Sequence, residues 1–170
     1  MVEPSRRLHA VPMAKRYRLE QLQLVPASRA EVFEFFSKAE NLERLTPPFL
    51  RFAILTPLPI EMKRGQLIEY RIGLGGLPMK WLTEISDWTP PERFVDEQLR
   101  GPYRYWHHTH EFREVSGGTE MRDVVEYELP LGPLGQVAHG VLVQRLLQRI
   151  FSYRRTAVQA AFPERRAGDF

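Results

Sequence analysis

Residues 50–129 read as an almost unbroken succession of strand-like runs and turn signals, after which the hydrophobic pattern changes period. The runs are LRFAILT, QLIEYRIGL, MKWLTEISDW, RFVDEQLR, YWHHTHEFREV and TEMRDVVEYEL. They are rich in β-branched and aromatic residues. Proline and glycine within residues 57–59, 73–78, 90–91, 101–102 and 117–118 separate them. Connections this short join neighbours in space and predict an antiparallel meander. Residues 134–162 then follow helical spacing, with Val143, Leu146, Leu147, Ile150, Ala157 and Ala161 on one stripe and Gln144, Gln148, Ser152, Arg155 and Gln159 opposite. A helix of that length runs to about 40 Å. Gly132, Pro133 and Gly135 mark its start, and Pro163 lies just beyond its end.

Upstream, residues 17–25 (YRLEQLQLV) form a further strand that Pro26 stops. Ser28 and Glu31 then stand at the S-x-x-E spacing of a capping box, in which each side chain satisfies a free amide at a helix start. Val32, Phe33, Phe35 and Phe36 follow, and a second short helix over residues 39–45 ends at Pro47 and Pro48. The expected class is therefore α+β, with about seven strands in the order β-α-α-β6-α. The long helix must bury its stripe, and the concave face of the curved sheet is the available partner. Such a sheet wrapped around one rod leaves a cavity between them, open at one end.

At 170 residues the chain reads as one domain over residues 16–163, with tails at 1–15 and 164–170 and Met13 as an alternative start. It has no cysteine, which excludes disulfides, thiolate metal sites and cysteine nucleophiles. No run is long and apolar enough to span a membrane, the N-terminus lacks the apolar segment of a secretory signal, and a cytoplasmic location is expected. The net charge of +3 is modest, and the basic pairs Arg6–Arg7, Arg154–Arg155 and Arg165–Arg166 are scattered. Nucleic-acid binders concentrate such charge on one face, so no nucleic acid is expected as partner. Arg145, Arg149 and Arg155 offer an edge on which a protein partner could dock, although a charged helix face is ordinarily just solvated.

Three of the five histidines fall within YWHHTHEF. Alternate side chains of a strand share a face. Trp106, His108, His110 and Phe112 therefore face inward together, and His107 faces out. A turn between residues 116 and 119 would oppose Phe112 to Asp123, His110 to Val125 and His108 to Tyr127. Phe94 shares a face with Asp96 and Gln98, and Trp81 shares one with Met79, Thr83 and Ile85. The cavity wall is then mostly apolar, with Asp96, Gln98, His108, His110, Asp123 and Tyr127 as its polar members. Buried carboxylates need partners. Arg154 lies within the apolar stripe of the last helix, where it either pairs with Asp123 or Asp96 or runs its stem along the stripe to water.

HTHEF, the Gly–Gly turn and TEMRDVVEYELPLGPLG together resemble the SRPBCC or START-like superfamily. The likeness is to its ligand-binding branch, related to polyketide cyclase/dehydrase domains, with the pattern H-x-H-x-F, T-x-M-x-D-x-V-x-Y-x-L-P and a late Phe-x-Tyr-Arg. Here these are His108, His110 and Phe112; Thr119, Met121, Asp123, Val125, Tyr127, Leu129 and Pro130; and Phe151, Tyr153 and Arg154. FVDEQLRGPYRYW also fits, and the resemblance covers residues 17–162. It implies a helix-grip fold. Fold does not fix function, and the resemblance carries over no catalytic residue.

The expected function is binding of a small hydrophobic ligand such as a lipid, quinone, polyketide or isoprenoid-like molecule. Trp81, Phe94, Trp106 and Phe112 would give apolar contact, with Gln98, His108 and His110 fixing its orientation and Asp96, Asp123, Tyr127 and Arg154 completing the site. The alternative is a cyclase or dehydratase that moves protons through His108, His110, Asp123 or Tyr127. A third reading uses His108 and His110 as metal ligands with Asp123 or Asp96, two firmly placed ligands where zinc generally wants three or four. No metal and no cofactor is the expectation. GLGG at residues 73–76 reads as a hairpin turn, because no helix follows it to offer its N-terminus to a phosphate.

Overall fold

Ser28 sets the first helix. Its hydroxyl accepts from the Glu31 amide at 3.3 Å, and the Glu31 carboxylate accepts from the Ser28 amide at 3.0 Å, so both arms of the capping box form. The structure, a computed structural model, describes residues 15–130, 132, 134, 137 and 142–164. Within them β1 (Arg16–Val25) leads into α1 (Arg29–Ser37), a 3-10 turn (Ala39–Asn41), α2 (Leu42–Leu45) and a second 3-10 turn (Pro48–Leu50). β2 (Ala53–Ile54), β3 (Leu67–Leu74), β4 (Leu77–Thr89), β5 (Arg93–Arg100), β6 (Tyr105–Val115) and β7 (Gly118–Glu128) follow, and α3 (Gln144–Ala161) closes the chain.

The seven strands form one antiparallel sheet in the order β1-β7-β6-β5-β4-β3-β2. The meander predicted over residues 50–129 is present, and β1 returns to flank its last strand. The run LRFAILT is the exception. It pairs only through Ala53 with Arg71 and Ile54 with Tyr70, because Leu50 ends a 3-10 turn, Arg51 takes a left-handed backbone (φ 45°), and prolines follow at 57 and 59. Two register shifts in the β4–β5 ladder add local bend.

The β6–β7 turn falls one residue earlier than the sequence led us to expect, which moves every cross-strand partner by two. Val115 pairs with Gly118, so Phe112 opposes Met121, His110 opposes Asp123, His108 opposes Val125 and Trp106 opposes Tyr127. The two glycines permit this. Gly117 has φ 91° and Gly118 φ 140°. A Cβ on Gly118 would lie 2.2 Å from the Val25 carbonyl oxygen. A slip of two keeps every side chain on its predicted face but changes every partner.

Helix α3 lays Leu147, Phe151 and Val158 on the sheet. Leu147 belongs to the predicted stripe, whereas Phe151 and Val158, absent from it, complete the buried line. The predicted helix start at 134 falls largely outside the described residues. One end of the core packs Phe33, Phe36, Phe94, Phe112 and Met121 against Val158. Burying a phenylalanine of this kind stabilises by about 1.5–3 kcal/mol. The other end packs Trp81, Trp106, Val125 and Tyr127 against Leu147 and Phe151. No described helix is long and apolar enough to cross a membrane.

Candidate functional site

Between the inner face of the sheet and α3 lies a cavity of about 180 Å³. Its wall is mainly apolar, with Trp81 and Ile85 from β4, Phe94 from β5, Trp106 from β6 and Leu147 and Phe151 from α3. Asp96, His108, His110 and Arg154 interrupt it, as do Tyr70 and Thr83, whose hydroxyls lie 3.2 Å apart.

The ionisable groups form one cluster that the sheet register assembles. Asp96 opposes His108 across β5–β6, and His110 opposes Asp123 across β6–β7. His110 Nδ1 lies 2.6 Å from Asp123 Oδ1, and its Nε2 lies 2.9 Å from Asp96 Oδ2. Two ionised carboxylates offer only acceptors, so both ring nitrogens donate and His110 is an imidazolium. His108 makes longer contacts, Nε2 to Asp123 Oδ1 at 3.2 Å and Nδ1 to Asp96 Oδ2 at 3.4 Å. The two imidazole rings are 3.9 Å apart, and Phe94 stacks on His110 at 4.1 Å.

Arg154 reaches into this cluster from α3. Its Nε is 3.3 Å from Asp123 Oδ2, an ion pair whose angle falls short of a hydrogen bond. Its side chain is 13% exposed and its guanidinium lies over the Phe36 ring, 5.1 Å from the centroid. Pairing with Asp123, and not escape to water, explains an arginine in this stripe.

Burial acts against every charge here, and the neighbours decide which survive. Burial alone would raise the Asp123 carboxyl, but Arg154 and His110 outweigh it and hold it well below the usual range. Asp96 is likewise lowered, with burial offset by the two histidines and Arg154. His110 is raised because Asp123 and Asp96 outweigh its burial. His108 is lowered by burial and by the positive charge on His110. Two carboxylates, one imidazolium, one guanidinium and one neutral imidazole leave the cluster without net charge.

Asp96, His108 and His110 bring ligand atoms within 4.8 Å of one another and are the group that could hold a metal among the described residues. The third member is Asp96, whereas Asp123 is engaged by Arg154. The fit is poor. Both nitrogens of His110 already donate to carboxylates, and the nearby guanidinium opposes a cation.

Several predicted site residues stand elsewhere. The Gln98 amide donates to the Tyr103 carbonyl at 2.7 Å and accepts from the Tyr103 amide at 3.3 Å, which commits both its ends to the turn before β6. Phe112 sits in the core beside Phe33 and Phe36. Tyr127 opposes Trp106 and stacks on Tyr17 at 5.6 Å, so it is not paired with His108. Asp123 stands behind the histidines and not on the cavity wall. His107 is on the outer face as predicted, yet only 28% of its side chain is exposed, because it pairs with Glu97 at 2.6 Å. Tyr70 lines the cavity without having been singled out, although its alternation with Ile68 and Ile72 on β3 carried the signal. Arg149 covers the Phe49 ring at 4.9 Å and Arg155 donates to the Leu22 carbonyl at 3.0 Å, so both have intramolecular roles.

Residues 25–151 match the family described as polyketide cyclase / dehydrase and lipid transport. No curated protein matches the sequence. Solved structures do. The Zhui aromatase/cyclase from Streptomyces sp. R1128 superposes with a TM-score of 0.67 at 17% identity, covering 91% of this chain and 99% of that one. Protein CV1439 from Chromobacterium violaceum gives 0.68 at 12% identity, over 87% and 98%. The major latex-like protein 151 from Panax ginseng gives 0.62 at 11% identity, over 86% and 97%. At such identities the likeness is one of fold, the helix-grip arrangement of a curved sheet around a terminal helix.

Proposed function

We propose that this chain, which belongs to the polyketide cyclase / dehydrase and lipid transport family, binds a small, mostly apolar and uncharged molecule in the cavity between the sheet and α3. The observation that carries this reading is an apolar cavity with one charge-balanced polar cluster on its wall. A cavity of about 180 Å³ is of the order of the ~150 Å³ apolar void that takes up benzene, which favours a ring-sized molecule or moiety. Trp81, Phe94 and Trp106 would enclose it. A ligand carboxylate would meet Asp96 beside cations, Arg154 and His110, that are already paired, and an ammonium would meet those same two cations. The neutral ligand is favoured on both counts. Native mass spectrometry of protein purified from its own host, followed by extraction, tests this. Recovery of an uncharged apolar compound is expected, and a retained organic acid or amine would refute the neutral-ligand reading.

The second reading, a cyclase or dehydratase, is favoured by one feature. A neutral imidazole, His108, lies beside an imidazolium, His110, on the cavity wall. His108 could take a proton from an acidic C–H, with the fixed His110 cation stabilising the developing enolate. In this case His108→Ala and His110→Ala would abolish turnover of a polyketide-like substrate with little loss of affinity. Equal loss of affinity and turnover would refute it.

A further inference from the structure

Several of the large apolar side chains that the fold leaves most exposed gather at one end of the molecule. Leu77, first residue of β4 at the tip of the β3–β4 hairpin, is 71% exposed. Leu134 and Leu142, ahead of α3, are 72% and 65% exposed, and Phe49, in the second 3-10 turn, is 46% exposed. Phe49, Leu134 and Leu142 line a depression of about 560 Å³ together with Gly75 and Gly76, the turn that precedes Leu77. Leu50, Pro102, Tyr103 and Leu146 line both this depression and the cavity, so the patch adjoins the cavity's edge.

Positive charge surrounds the same place. Arg149 lines the depression, Arg145 is exposed one turn earlier on α3, and Arg51 is exposed beside Gly73 at the end of β3. No aspartate or glutamate lines the depression. Among the described residues none of the three arginines has a carboxylate partner. Arg149 rests on the Phe49 ring, which leaves its charge unanswered.

A contiguous exposed apolar patch marks an interaction surface. Here the partner must offer apolar material at the centre and negative charge around it. A second copy would set the same arginines against these. A bilayer of anionic phospholipid supplies both needs at the right depths, with acyl chains for the leucines and phosphates for the guanidiniums. It also sets apolar material, and not water, against the edge of an apolar cavity.

We infer that this end of the molecule is a docking face for an anionic phospholipid membrane. Phe49, Leu77 and Leu142 enter the interface, and Arg51, Arg145 and Arg149 meet the phosphates. The inference does not depend on which molecule the cavity takes.

Vesicle co-sedimentation of the full chain tests it, comparing phosphatidylcholine alone with phosphatidylcholine holding about 30% phosphatidylglycerol. The chain should sediment with the anionic vesicles and not with the neutral ones. Binding should weaken as salt rises from about 0.1 M to about 1 M, where the screening length falls from about 10 Å to about 3 Å. Leu77→Glu and Arg145→Glu should each lower the affinity about tenfold. Leu22→Glu, at a leucine 50% exposed on β1 away from the patch, should leave it unchanged. The wild-type comparison of the two vesicles decides even if a variant fails to fold. No binding to the anionic vesicles, or a loss with Leu22→Glu as large as with Leu77→Glu, would overturn the inference. So would a dimer in sedimentation equilibrium that Leu77→Glu dissolves without any vesicle binding, which would give the face to a second copy. Each of these leaves the ligand-binding reading standing, because no cavity ligand enters the assay.

Discussion

Replacing Arg154 by methionine keeps most of the apolar stem that crosses the α3 stripe and removes the charge. Removing one partner of a buried ion pair costs about 3–5 kcal/mol when the other is left alone. Asp123 is not left alone, because His110 remains 2.6 Å from it and His108, at 3.2 Å, can take up a proton. We therefore expect about 2–3 kcal/mol of destabilisation in urea unfolding, a fall in Tm of about 5–10 °C for a domain of this size. Asp123 carries a depressed carboxyl. Its contribution is present above the unfolded carboxyl range and is lost as pH falls through the folded value. The gap between wild type and variant should accordingly narrow in acid. Combining Arg154→Met with Asp123→Asn gives the coupling directly, expected above about 1 kcal/mol for groups in contact. A loss under about 0.5 kcal/mol with additive double-variant energies would mean that Arg154 is solvated and that Asp123 has no need of it.

Three further outcomes follow from the same geometry. His110 is raised and His108 lowered, so the stability due to His110 is present below the unfolded histidine value of about 6.5 and lost as pH rises through the folded one, while that due to His108 is present above about 6.5 and lost as pH falls. Urea midpoints should decline on both sides of that pH, and His110→Gln should flatten the alkaline limb; an unchanged limb would contradict the assignment. Gln98→Leu should cost about 1–2 kcal/mol by cutting both bonds to Tyr103, and equilibrium unfolding with no loss would remove the turn-clipping role. Gly118→Ala, with its Cβ against the Val25 carbonyl and φ at 140°, should destabilise by about 2 kcal/mol or more, whereas Gly65→Ala, strained only by its φ of 81° with open space around it, should cost less.

What the sequence made legible was whatever depends on period and face. Alternation in YWHHTHEF placed His108 and His110 inside and His107 outside, and that survives any slip of two residues in the hairpin. Partners are a different quantity. Whether His110 meets Asp123 or Val125 turns on one residue pair at the end of a turn, and two adjacent glycines tolerate either closure. Gln98 shows the same limit from another side. Its inward face was readable, but a side-chain amide can be spent on a local backbone turn as well as on a ligand, and nothing in RFVDEQLR distinguishes the two.

Arg154 came nearer to having a legible partner, because its place in the stripe narrowed the choice to Asp123, Asp96 or water. An apolar helix stripe cannot hold a guanidinium without an anion or a route to water, and Asp96 and Asp123 were the inward carboxylates available. The cost of burying charge framed the alternatives, and the 3.3 Å contact with Asp123 decides between them. Trp81 is the reverse case. Its sequence position predicted an apolar wall residue, and its ring is one, yet only three-dimensional placement among Tyr70, Tyr103 and Trp106 leaves its nitrogen without an acceptor. The charged cluster, conspicuous in the sequence, is the part of this cavity whose charges answer one another.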